Sequence, residues 1–211
     1  MKLHVARMAY PVTSLGPGQR VAIWVSGCGM RCRGCITPDL WDSSAGRVVD
    51  VDRVLQRILA LRMPLDGITI SGGEPFEQAA SLGRLLRDTR AAKPDWSTLV
   101  FSGFPYLTLR SGKTGADALL SQTDILVAGP YDRRRPGVHP LAATANQTVH
   151  YLTERGAALR NKVESDTVHR ADVALGSTGE ALLVGIVAED ARSRIHKALV
   201  PADTPPAAWM P

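Results

Sequence analysis

The sequence predicts an α/β fold, a parallel sheet wrapped by helices. Three observations predict it. Short runs that are apolar on both faces alternate with stretches of helical period, as strands buried between helix layers do. Each run ends at a glycine-bearing loop. The residues best suited to chemistry fall in those loops, where open α/β sheets place their sites.

Arg20 to Ser26 (RVAIWVS) reads as the first buried strand and feeds directly into Gly27 and Cys28. Asp50 can cap a helix through about Arg62, with Val51, Val54, Leu55, Ile58 and Leu59 as its apolar stripe and Pro64 beyond its end. Gly67 to Ser71 is a second strand, turned by Gly72-Gly73. Pro75 suits the opening of the next helix, whose buried side is Leu82, Leu85, Leu86 and Thr89. Ser97 to Phe101 is a third strand ending at Ser102-Gly103-Phe104, and Asp124 to Ala128 a fourth ending at Gly129-Pro130. A short helical segment fits Ala116 to Ser121.

The pattern changes after about Arg155. The division expected is a core over residues 1–155 and an extension over 156–211. In the extension, Ala171–Leu175 and Ala181–Val187 flank Gly176–Glu180 as a β-hairpin. A short charged helix over Glu189–Leu199 and a loose Pro/Ala-rich tail follow.

All three cysteines lie in one run, Cys28, Cys32 and Cys35, spaced C-x3-C-x2-C. An odd count and no leader argue against a disulfide framework. Structural zinc wants a fourth ligand, and His4, His139, His150, His169 and His196 are distant in sequence. Arg31 and Arg33 favour thiolate over thiol. The spacing favours an iron–sulfur site over zinc, with one iron left without a cysteine. Gly72-Gly73-Glu74-Pro75 is the second motif. Its glycines allow close approach to backbone, and Glu74 puts a carboxylate where free helix N–H groups begin, so a zwitterionic ligand fits. A tight turn with a capping acid is the plain structural alternative.

Composition is that of a globular protein, 45% hydrophobic and 21% charged over 211 residues. No stretch reaches membrane-span length and no signal peptide opens the chain, so a cytoplasmic location without membrane contact is expected. The net charge of +5 suits an acidic partner. Aromatics are only 5%, with no basic–aromatic interleaving, so no nucleic acid is expected. Arg133-Arg134-Arg135 is the densest basic spot and reads as a solvated loop.

Taken together and in order, these pieces resemble the radical S-adenosylmethionine superfamily, and more narrowly the activating enzymes of anaerobic ribonucleotide reductase. The likeness runs from about Tyr10 to Tyr151 and also takes in Gly16-Pro17-Gly18, Thr37 to Trp41 and Ala145-Asn146-Gln147 to His150. The resemblance implies a partial (β/α)6 barrel. It implies a 4Fe-4S cluster on Cys28, Cys32 and Cys35, with S-adenosylmethionine on the fourth iron. Gly72, Gly73 and Glu74 would hold the methionine amino group, and Ser102 would contact the cofactor. The implied activity is reductive cleavage of S-adenosylmethionine to a 5′-deoxyadenosyl radical, which takes a hydrogen from a glycine of a large partner. A flavodoxin or ferredoxin would supply the electron.

The chain departs from that pattern in places. No aromatic stands beside Cys35, so adenine would pack on Met30 or backbone. Ala128 replaces a common Asp, and Ala143-Thr144-Ala145 replaces Gly-Ser-Ser. The alternatives are a radical enzyme acting on a small molecule or peptide, and a non-catalytic iron–sulfur or zinc protein.

Overall fold

The computed structural model describes residues 1–112, 115–137, 139–165, 170–175, 181–187, 191 and 193–195. Its centre is a seven-stranded sheet. In chain order the strands are β1 (Lys2–Val12), β2 (Arg20–Val25), β3 (Arg47–Asp50), β4 (Gly67–Gly72), β5 (Ser97–Ser102), β6 (Ile125–Ala128) and β7 (Thr148–Tyr151). Their spatial order is β3-β1-β2-β4-β5-β6-β7. The four strands read from the sequence, β2, β4, β5 and β6, pair in parallel at the centre. The three unread strands are antiparallel and flank them. The result is a mixed α/β sheet with a parallel middle.

The flanking strands escaped the sequence for physical reasons. β1 carries Lys2, Arg7 and Pro11 and is half-buried along most of its length. Pro11 falls where the β1–β2 register shifts between Ala9 and Val12, an irregularity of the kind that tolerates a missing donor. β3 and β7 are four residues each and hold no fully buried side chain.

Alternation along each strand sends neighbouring side chains to opposite faces. Val21, Ile23 and Val25 of β2 join Ile68, Ile70, Val100 and Leu126 on one face. The helices α1 (Val51–Leu59), α2 (Ala79–Ala92), α3 (Tyr106–Arg110) and α4 (Asp117–Leu120) cover it through Val54, Ile58, Leu82, Leu85, Leu86, Leu109 and Leu119. Ala22 and Trp24 point the other way, with Leu99, Ile125 and Val127.

That second face is covered by the C-terminal part. Helix α5 (Glu154–Glu164) brings Leu159 and Val163, and the hairpin β8 (Ala171–Leu175)–β9 (Ala181–Gly185) brings Leu182 and Val184. The expected hairpin strands therefore form and pair antiparallel. Helix α5 was not expected; its apolar content is sparse, and Thr153 starts it by accepting from the Gly156 N–H at 3.1 Å. The expected hairpin turn, most of the Glu189–Leu199 helix and the tail lie outside the described residues.

No helix among the described residues is long and apolar enough to cross a membrane. A cavity of about 540 Å³ lies between Ser14, Gly16–Gln19, Asp66, Leu141, Lys162 and Arg170. It sits at the ends where β2 and β4 begin, away from the cysteines.

Candidate functional site

The cysteine loop leaves β2 at its C-terminal end and returns through Leu40 and Trp41. Gly27 N–H donates to the Leu40 carbonyl and Cys28 N–H to the Trp41 carbonyl, both at 2.9 Å, which closes the loop at its base. Inside it, Cys35 N–H donates to the Cys32 carbonyl at 3.1 Å. Arg31 adopts φ +43°, a left-handed residue that bends the chain between the first two cysteines. All three thiols are free and half-buried.

Backbone N–H groups aim at sulfur. Thr37 N–H donates to Cys35 Sγ at 3.4 Å. Burial pushes the Cys28 thiol up, against hydrogen bonds from the Met30 and Arg31 backbone that favour the thiolate. Such donors stabilise sulfur-ligated clusters and tune them. Among the described residues, no three His, Cys, Asp or Glu side chains converge into a closed cation site. The donor chemistry fits an iron–sulfur group: three thiols in eight residues, amides turned toward two of them, and no disulfide.

The second motif is fastened to this loop, and backbone contact explains its glycines. Gly72 has φ +110°, and a Cβ there would stand 2.3 Å from the Val25 carbonyl oxygen. A Cβ on Gly73 would stand 2.3 Å from the Gly27 carbonyl oxygen. Gly73 N–H donates to Val25 at 2.7 Å and Glu74 N–H to Gly27 at 2.8 Å. Thr37 Oγ1 donates to the Gly72 carbonyl at 3.5 Å. The segment after Glu74 continues the clamp: Glu77 Oε1 accepts the Gly29 N–H at 2.7 Å, and Gln78 Nε2 donates to the Ser26 carbonyl at 3.0 Å.

Glu74 is 1% exposed. Its Oε1 accepts from Phe76 N–H at 2.9 Å and Ser102 Oγ at 3.0 Å, and its Oε2 accepts from Gly103 N–H at 2.8 Å. Ser102 Oγ in turn accepts the Phe104 N–H at 3.0 Å. The carboxylate thus ties β4 to the loop after β5. Met30 joins the same corner, its Sδ 2.6 Å from where a Cβ of Gly103 would stand. The structure therefore gathers Gly72, Gly73, Glu74, Ser102 and Met30 beside the cysteine loop.

Burial pushes the Glu74 carboxyl up to about 7, against the three donated hydrogen bonds. Below the unfolded value both states are protonated and nothing is lost. As pH rises from about 4.5 to about 7 the unfolded state ionises first, and folding loses about 3 kcal/mol at this group. Glu74→Gln should flatten that part of the stability–pH curve. It should also cost about 1–3 kcal/mol at pH 5, because the amide's NH₂ faces an N–H donor. Urea unfolding of both proteins at pH 5 and 7.5 checks this; an equal pH slope in the two would contradict it.

Sequence reasoning missed Glu77 and Gln78, whose only signal is that they are polar residues in the turn after Pro75, and it took in Thr37 only within the stretch Thr37 to Trp41, with no role of its own. It read Arg133 as part of a solvated loop and did not link that loop to the cysteines. Arg133 Cδ instead lies 2.7 Å from where a Cβ on Gly34 would stand, so the basic loop touches the cysteine loop. Arg31, Arg33, Arg133, Arg134 and Arg135 are exposed there.

Comparison with known proteins agrees with this arrangement. A family model described as a 4Fe-4S single cluster domain matches residues 14–150. The chain is 29% identical over 152 residues to an anaerobic ribonucleoside-triphosphate reductase-activating protein of Vibrio cholerae, covering 68% of this chain and 96% of that one. It is 28% identical to the protein of the same name from Escherichia coli K12, with the same coverage. A pyruvate formate-lyase-activating enzyme of Clostridium pasteurianum is 34% identical over 76 residues, 34% of this chain and 32% of that one.

Proposed function

Because the chain belongs to the 4Fe-4S single cluster domain family, we propose that it is a radical S-adenosylmethionine enzyme that activates a glycyl-radical protein such as an anaerobic ribonucleotide reductase. The observation that carries this reading is the clamp between the two motifs, Glu74 N–H on the Gly27 carbonyl and Glu77 on Gly29 N–H. It brings the three-thiol loop and the Gly72–Glu74 turn to one edge of the sheet.

In this reading Cys28, Cys32 and Cys35 would hold a 4Fe-4S cluster, beside which S-adenosylmethionine would bind. Once reduced by an external donor, the bound cluster would supply the one-electron chemistry that splits S-adenosylmethionine into methionine and a 5′-deoxyadenosyl radical. The chain's own residues place the reactants. Gly72 and Gly73 let backbone carbonyls approach the methionine end, and Thr37 fixes the Gly72 carbonyl. Glu74, buried with its oxygens on Phe76 N–H, Ser102 Oγ and Gly103 N–H, would hold the turn so that the Gly72–Glu74 backbone meets the methionine ammonium group. Met30, against Gly103, gives an apolar surface to adenine where no aromatic stands beside Cys35. Transfer of a hydrogen atom from a partner glycine would then give 5′-deoxyadenosine and leave the unpaired electron on that glycine.

We assign the four parallel strands to the middle of a partial (β/α)6 barrel, residues 1–155 to the core and 156–211 to an extension. The exposed arginines around the cysteine loop suit docking of an acidic flavodoxin or ferredoxin, in the cytoplasm. Raising salt should then slow reduction of the cluster steeply, measured by stopped-flow absorbance. A salt-independent rate would remove those arginines from the docking surface.

The deciding experiment is anaerobic reconstitution with iron and sulfide, followed by dithionite and S-adenosylmethionine. The expected results are about four irons per chain and release of 5′-deoxyadenosine. Zinc without iron would sink the reading. A second reading, a radical enzyme for a small molecule or peptide, is favoured by the hairpin packed over the second sheet face. A glycyl-radical signal by electron paramagnetic resonance on a co-encoded large protein separates the two.

A further inference from the structure

The C-terminal hairpin covers one face of the seven-stranded sheet. Helices close one face of the sheet. On the other face, Val184 is 2% exposed and packs in a cluster with Ala9, Val12, Leu15, Ala22, Trp24 and Leu40. Leu182, Ile186 and Phe101 pack against the same cluster. Leu40 closes the base of the cysteine loop, and Phe101 precedes Ser102, so the covered face runs up to the site.

The hairpin is attached as a separate unit. Its two strands hydrogen-bond to each other and not to the seven-stranded sheet. A two-stranded hairpin has little stability of its own and depends on what it packs against. Its polar fastening is concentrated at one residue. Asp172 Oδ2 accepts from Thr13 N–H at 2.8 Å and Ser14 N–H at 2.9 Å, and Oδ1 accepts from Thr13 Oγ1 at 2.9 Å. Across the hairpin from Asp172, the Val184 carbonyl accepts from Ser14 Oγ at 3.1 Å. The Vibrio cholerae relative aligns over 96% of its own length with only 68% of this chain, so about a third of this chain has no counterpart there.

We propose that the β8–β9 hairpin is a releasable cover of the substrate face, latched by Asp172 on Thr13 and Ser14, and that the protein segment bearing the target glycine enters along the face it vacates. This rests on the radical-generating reading of the site. The cover can lift without breaking a sheet ladder, because its losses are side-chain packing and the latch. While closed it keeps buffer molecules from a radical formed without a substrate, a protective use of an apolar lid.

The test uses the full chain, reconstituted, as wild type, Asp172→Ala, Asp172→Asn and Ser14→Ala. Hydrogen exchange is followed over residues 181–187, 20–25 and 79–92. Formation of 5′-deoxyadenosine is measured with dithionite and S-adenosylmethionine and no protein substrate. In Asp172→Ala, exchange should rise about tenfold or more at 181–187 and stay unchanged in 20–25, whose ladders to β1 and β4 remain, and in α2. 5′-Deoxyadenosine should form severalfold faster. Asp172→Asn keeps acceptor oxygen and Ser14→Ala keeps the Asp172 bonds, so both should fall between. No added exchange at 181–187 would overturn the latch. Added exchange without faster 5′-deoxyadenosine formation would overturn the cover. If wild type and variants all bind iron yet release no 5′-deoxyadenosine, the radical reading itself fails and this proposal falls with it.

Discussion

Cys32→Ala should lose S-adenosylmethionine cleavage completely while the protein stays folded. The residue lies in the middle of a loop whose closure does not depend on its side chain. Gly27 and Cys28 backbone bonds to Leu40 and Trp41 close the loop, and Glu74, Glu77 and Gln78 clamp it. Its thiol is only half-buried, so truncation removes little packing, on the order of 1 kcal/mol. A cube held by two thiolates has lost a third of its protein bonds, and its irons are correspondingly labile. The expected readouts are iron well below about four per chain, loss of the brown chromophore, and unfolding of the metal-free protein within a few degrees of wild type. Cys28→Ala and Cys35→Ala should behave alike. A Cys32→Ala protein that still made 5′-deoxyadenosine would place the cluster elsewhere.

The cysteine run and the Gly72-Gly73-Glu74 turn were legible because chemistry fixes both residue type and spacing. Thiols in a tight spacing can only come from cysteines, and a residue whose Cβ would lie 2.3 Å from a neighbouring carbonyl oxygen can only be glycine. The central strands were legible because burial on both faces leaves a continuous apolar run. The clamp was not legible. Gln78 reaches Ser26 and Glu77 reaches Gly29 across about fifty residues, and both meet backbone, which any residue provides. Nothing in a single sequence marks which Glu or Gln does this. Likewise β1, β3 and β7 flank the parallel centre with mixed polarity, and their pairing is decided by partners distant in sequence. The touch of Arg133 on Gly34 joins two loops a hundred residues apart.

Arg20 shows how far such hidden couplings reach. The sequence presents it only as the polar start of an apolar strand. In the structure it is 0% exposed, and all five guanidinium N–H groups are used. Nε donates to Thr69 Oγ1 at 2.7 Å. One terminal nitrogen donates to Pro17 O and Ser97 Oγ, the other to Ile68 O and Ser97 O, at 2.8–3.0 Å. The fork therefore staples the starts of β2, β4 and β5 and the 16–18 loop. Among the described residues no carboxylate pairs with it directly; burial lowers it to about 10, with more distant Asp124 and Asp66 opposing. It stays charged at neutral pH and is carried by neutral acceptors alone. Gly67 makes the room, since a Cβ there would stand 2.7 Å from the guanidinium. Arg20→Leu leaves the Pro17, Ile68 and Ser97 carbonyls and two hydroxyls short of donors in a closed space. It should cost about 3–5 kcal/mol, roughly 10 °C in unfolding temperature. Arg20→Lys should recover only part, because an ammonium has three donors and no planar fork. Arg20 lies at the opposite end of β2 from Cys28, so any folded fraction of Arg20→Leu should still take up a full complement of iron. The two variants thus separate fold from site: Cys32→Ala keeps the unfolding temperature and loses iron, and Arg20→Leu does the reverse. An Arg20→Leu protein that unfolds like wild type would mean that water replaces the lost donors, and that the staple contributes little.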